Sequence, residues 1–175
     1  MKQNIFLYFV LTAVAAAISG CSQPAPPAKA ASRPDHDPQT AVTSIRAAGA
    51  QFDSSVEVHP LRDPAVDGLL KQAHDLEAQW QPAQALTSVR KALTIAPNAP
   101  DILQYQAELL VEAGDWKQAA ASAQKSWELG PKVGSLCARN LEALAQARTS
   151  LGDTAGAAQA RQQLTGCRVP PPVRL

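Results

Sequence analysis

Between Pro64 and Leu164 apolar residues recur at three- and four-residue spacing, interrupted by short breaks. Val66, Leu69, Leu70, Ala73 and Leu76 predict a helix from about Pro64 to about Gln79. Pro82 then opens a second helix, at a position where its missing N–H costs nothing. That helix carries Ala85, Leu86, Val89, Ala92, Leu93 and Ile95, and it ends by Ala96 because Pro97 bars the helical region for the residue before it. A third stretch holds Ile102, Leu103, Ala107, Leu110 and Val111 and stops at Gly114. Asp115 is placed to cap a fourth, with Trp116, Ala119, Ala120, Ala123 and Trp127 on its apolar stripe and Gly130-Pro131 at its end. Leu141, Leu144 and Ala145, then Ala157, Ala158 and Leu164, give a fifth and a sixth.

The helices come in pairs, and the pairs repeat. Ala85 and Ala119 are 34 positions apart, as are Pro97 and Pro131. A 34-residue period of two helices is the signature of a tetratricopeptide repeat. The predicted fold is therefore all-α, a stack of about three helical hairpins preceded by an extended arm. Ala73 and Ala107 share one repeat position, and Ala85 and Ala119 another; close approach of the paired helices calls for a small side chain there. The third pair is irregular. Its turn, Gly152-Asp153, follows Gly114-Asp115 by 38 residues, so four residues, about one helical turn, are inserted in the junction or in the fifth helix. The sixth helix is more polar, with Gln159, Arg161, Gln162 and Gln163, as a solenoid end must be.

Cys137 opens the fifth helix and Cys167 closes the sixth. In an antiparallel hairpin those ends are neighbours, and a disulfide between them is expected. Closing a 30-residue loop contributes roughly 3–4 kcal/mol by the chain-entropy estimate.

The N-terminal third has a different pattern. Lys2 precedes an apolar run from Ile5 to Ile18, which has the form of an export signal and is short for a membrane span. It closes with Ile18-Ser19-Gly20-Cys21, which resembles the bacterial lipoprotein processing box, with the Cys21 thiol as the lipidated group. Several acyl chains anchor firmly where one binds marginally. Ser22, a non-aspartate after the cysteine, resembles the sorting signal for the inner leaflet of the outer membrane. Residues 22–40 are rich in proline and alanine and are read as a tether that reaches on the order of 60 Å at about 3.1 Å per residue. His36 lies between Asp35 and Asp37, but in such a segment this is read as solvated chain rather than a metal site. Residues 41–52 admit a weak helix; residues 53–64 read better as an extended arm packed on the first hairpin through Val56, Val58 and Leu61, with Asp63-Pro64 as cap and first helical residue. The expected organisation is a signal peptide at 1–20, lipidated cysteine and tether at 21–54, repeat domain with arm at 55–168, and proline-rich tail at 169–175.

Charge and candidate chemistry add less. The formal net charge is +1, which suggests neither a nucleic-acid binder nor an acidic tail protein. No phosphate-binding glycine loop occurs, and no nucleophile can be paired with an oriented base, so an enzyme is not expected and neither cofactor nor metal is implied. What remains is a surface. In this repeat type the first helix of each pair lines the concave face, which makes Asp67, Leu70, His74, Glu77, Gln104, Glu108, Val111, Glu112, Arg139, Glu142 and Gln146 the candidate partner-binding groove. Residues 99–115 carry four acidic and no basic side chains, whereas 116–175 carry eight basic and three acidic. The asymmetry suits a partner with a basic element, although helix surfaces are charged in any case. Trp80 and Trp127 are read as packing residues first and as interface anchors second.

Residues 56–64 (VEVHPLRDP), residues 83–97, and KSWELGPKVGSLCARNLEALAQARTSLGD at 125–153 resemble small tetratricopeptide lipoproteins of proteobacteria. Among these are outer-membrane activators of a class A penicillin-binding protein in pseudomonads. Where the pattern would have a second asparagine-tryptophan pair, this chain has Asn140-Leu141. The resemblance implies a lipid-anchored domain in the periplasm that binds and stimulates an inner-membrane peptidoglycan synthase. A pilotin-like assembly factor for a pilus or secretion complex, or a structural envelope scaffold, are the alternatives.

Overall fold

The computed structural model describes residues 37–52 and 61–168. The signal peptide, Cys21, the tether up to His36, arm residues Val56 and Val58, and the tail at 169–175 lie outside the described residues.

Among the described residues seven α-helices follow one another: α1 (Pro38–Gln51), α2 (Pro64–Ala78), α3 (Pro82–Ile95), α4 (Pro100–Glu112), α5 (Trp116–Leu129), α6 (Gly134–Ser150) and α7 (Thr154–Leu164), with a 3-10 turn at Thr165–Cys167. Proline stands at the start of α1, α2, α3 and α4. Asp37, Asp63, Asp115 and Asp153 cap α1, α2, α5 and α7 by accepting a backbone N–H from the first turn. The stack is built of three antiparallel pairs, α2 with α3, α4 with α5, and α6 with α7, and each pair packs on the next through α3 against α4 and α5 against α6.

The three hairpin turns are the same turn. In each, the N–H three residues past the helix end bonds back to a carbonyl five residues earlier: Gln81 to Leu76, Asp115 to Leu110 and Asp153 to Arg148, all at 2.9 Å. The residue before each of these donors is left-handed, Trp80 at φ 61°, Gly114 at 73° and Gly152 at 82°. Two turns use glycine there and one uses tryptophan.

Ala73, Ala85, Ala107 and Ala119 are all fully buried, as the close-contact argument requires. Ser126 is also fully buried, and its hydroxyl donates to the Pro100 carbonyl (2.6 Å), tying α5 to the start of α4. The irregularity of the third pair lies within the helix. Residues 96–99 precede α4 and residues 130–133 precede α6, four in each junction, but α6 has 17 residues to the 13 of α4. The extra four lengthen α6 by a turn. Cys137 and Cys167 are bonded, with Cα atoms 5.7 Å apart, and join the start of α6 to the end of α7. On α7 only Ala157 and Ala160 are buried, as suits a terminal helix with one wet face.

Two expectations are corrected. Leu61 does not pack on the first hairpin; it is completely exposed. Its neighbour Arg62 makes the tie instead, through an ion pair with Asp101 at the start of α4. The second correction concerns the segment taken as the end of the tether. Residues 38–51 form a regular helix that belongs to the folded domain, with Ala41, Val42, Ile45 and Ala48 buried against it. Burial of this stripe supplies what the weak helix propensity lacks.

Candidate functional site

α2, α4 and α6 are the first helices of the three pairs, and their shared face is the candidate groove. α1 lies on it, packed against α4 and α6. α4 is consequently covered on every side, by α3, α5, α6 and α1. This explains why polar Gln104 and Glu108 are as buried as Ile102 and Leu109.

One basic residue, Arg46, occurs in residues 37–52, and it organises the polar part of the groove. Its Nε donates to Glu108 Oε2 (3.1 Å), and its guanidinium also pairs with Glu77 of α2. Arg139 of α6 reaches the other oxygen of Glu108, through Nε at 2.8 Å and a terminal nitrogen at 2.6 Å. Gln104 Nε2 donates to the same oxygen and to the Arg139 carbonyl, each at 3.2 Å. A carboxylate with 1% side-chain exposure is thus held between two arginines and an amide. Such pairing makes a buried charge tolerable. Burial works against the charged Arg46, but the carboxylates of Glu77 and Glu108 outweigh it and hold the guanidinium more firmly protonated.

Glu77 has a second partner. Tyr105 donates its hydroxyl to Glu77 Oε2 (2.8 Å), and its ring stacks on His74 with centroids 4.5 Å apart. Burial raises the Tyr105 pKa above its ordinary value, and the hydrogen bond to Glu77 raises it further. Burial likewise raises the Glu112 carboxyl, with the nearby Glu77 charge adding to the effect.

The sequence-derived groove residues therefore divide. Glu77, Gln104, Glu108 and Arg139 meet in one network around Arg46. Gln104, Glu108 and Val111 are fully buried. Leu70, Glu112, Glu142 and Gln146 are half-buried, with Gln146 Nε2 donating to Glu142 Oε1 (2.6 Å), and His74 is exposed. Asp67 is exposed on the first turn of α2. Sequence reasoning missed Arg46, Tyr105, Ile45 and Gly49. Gly49 lies so close to α6 that a Cβ there would stand 2.6 Å from Arg139 Cγ. The readable signal was Asp37-Pro38, the same cap-and-proline pair that marks α2 at Asp63-Pro64.

Outside the groove, Trp127 is packed on the core and carries Lys132 Nζ over its ring at 4.2 Å. Trp80 is 77% exposed, so the packing reading holds for Trp127 and is replaced for Trp80. Among the described residues no cluster of three or more potential metal ligands occurs.

No family model matches the chain, and no curated protein does. Among solved structures it is similar to the globular C-terminal domain of LpoP from P. aeruginosa, with 33% identity and a TM-score of 0.55. The match covers 60% of this chain and 99% of that domain. Near-complete coverage of that domain at this identity goes beyond a shared architecture. The chain belongs to the LpoP family.

Proposed function

We propose that this protein is an outer-membrane-anchored periplasmic protein that binds the periplasmic part of a class A penicillin-binding protein and stimulates its glycan synthesis. The observation that carries the reading is the likeness to the whole globular domain of LpoP, together with the resemblance of residues 125–153 to the activators of such synthases. A lipid on Cys21 holds one end at the outer membrane, and the tether gives the domain reach toward the inner membrane. The role is binding, not catalysis. Stimulation is a shift in the synthase between less and more active conformations, driven by tighter binding of the active one.

The candidate binding groove is the concave face, with Leu70, His74, Glu112, Glu142 and Gln146 at its accessible positions. Glycan polymerisation by the cognate synthase, measured with and without residues 22–175 of this protein, tests the reading. A rise in rate with saturable binding is expected. An unchanged rate and no binding would overturn it.

A further inference from the structure

In this structure the concave face already holds a helix. The stack α2–α7 does not need α1 for continuity, because each hairpin packs directly on the next. The polar groups under α1 are partnered twice. With α1 lifted, Glu108 would still have Arg139 at 2.6–2.8 Å and Gln104 at 3.2 Å, and Glu77 would still have the Tyr105 hydroxyl at 2.8 Å. Departure of Arg46 therefore orphans neither carboxylate, which removes the usual penalty for opening a buried ionic site.

α1 is itself a weak helix. It has 14 residues, no acidic residue in its first turn and no basic residue in its last. The sequence between it and α2, residues 52–63, is long enough to let it leave and stay tethered. Its inward face is narrow and specific. Ala41, Val42, Ile45 and Ala48 form an aliphatic stripe, Arg46 stands beside Ile45, and Gly49 admits the Arg139 side chain.

We propose that the face of α4 and α6 is a helix-binding site, that α1 is its resident ligand, and that a partner helix of the same pattern displaces α1. That pattern is a small-aliphatic stripe, an arginine aimed at Glu108 and Glu77, and a small residue opposite Arg139. α1 is then a latch over the groove, and binding of a partner releases it. Naming the synthase as the source of that helix rests on the function proposed above; the latch does not.

The test uses residues 22–175 and a fluorescent peptide of residues 37–52. Hydrogen exchange should show α1 amides exchanging on the order of 100-fold faster than those of α4, through local opening. Equal rates would mean that α1 opens only on global unfolding, and would overturn the proposal. The double variant Ile45→Asp, Arg46→Glu should keep α4 protected and bind the peptide at least about tenfold more tightly than the unaltered protein, whose groove is occupied. Loss of α4 protection in that variant would make α1 an integral core element, and a protected α4 without peptide binding would show that the face is no site; either overturns the latch. No synthase enters these measurements, so they fail or succeed apart from the proposed function.

Discussion

Arg46 on α1 and Glu108 on α4 meet at 3.1 Å across 62 residues of sequence, and Arg139 closes on the same carboxylate from α6. The two arginines differ in consequence. Arg46 keeps 46% side-chain exposure, so Arg46→Ala should cost only about 1 kcal/mol. Glu108→Ala takes from Arg139 its carboxylate, leaves Arg46 with Glu77 alone and Gln104 with the Arg139 carbonyl alone, and should cost about 3 kcal/mol, the low end for a buried pair because both arginines keep contact with water. Urea denaturation of the two variants checks the order. Equal losses would contradict it.

Trp80 is the one non-glycine residue with positive φ among the described residues. It occupies the turn position that Gly114 and Gly152 fill in the other hairpins and gains little packing there. Trp80→Gly should therefore stabilise the domain by about 1 kcal/mol, read as a higher thermal midpoint. A lower midpoint would show that the indole packs in the native state. If the stabilised variant also binds the synthase less well, the strained tryptophan is kept for the interface.

The Cys137–Cys167 bond closes the last and most polar hairpin. Its replacement by alanine at both positions should lower stability by roughly 3 kcal/mol. The loss should concentrate in α7, whose exchange protection falls while that of α4 persists. Uniform loss of protection along the chain would contradict this local role.

The cap of α1 is sensitive to acid. Thr40, through its hydroxyl (2.6 Å) and its N–H (2.8 Å), donates to Asp37 and holds the carboxyl below the ordinary value of 3.8. A depressed carboxylate stabilises the fold above its unfolded value, and that contribution disappears as pH falls through the folded value. The Thr40 amide proton shift should therefore titrate with a midpoint below 3.8, and Asp37→Asn should abolish that titration. A midpoint at or above the ordinary value would mean that the cap is not formed.

Much of the stack was legible because its punctuation is local. Pro64, Pro82 and Pro100 start helices, Gly114 and Gly152 turn the chain within hairpins, and the alanines at 73, 85, 107 and 119 mark the close contacts. The position of the extra turn within α6 was not legible, since an insertion of four residues preserves helical phase in either place. α1 was obscured by its company. Its stripe of Ala41, Val42, Ile45 and Ala48 is short, it follows a proline- and alanine-rich run, and what holds it is a groove built more than 20 residues downstream. The groove's polar network was half visible. Periodicity placed Glu77, Glu108 and Arg139 on one face, but only tertiary packing could bring Arg46 among them.

Photocrosslinking in intact cells can show which face of the domain meets the synthase. A photoreactive side chain at His74, Glu112 or Gln146 lies on the accessible part of the concave face. These positions should capture the periplasmic part of a class A penicillin-binding protein, and a probe at exposed Gln159 on α7 should not. Capture of a pilus or secretion component instead, or of the synthase from Gln159 and not from the groove, would contradict it.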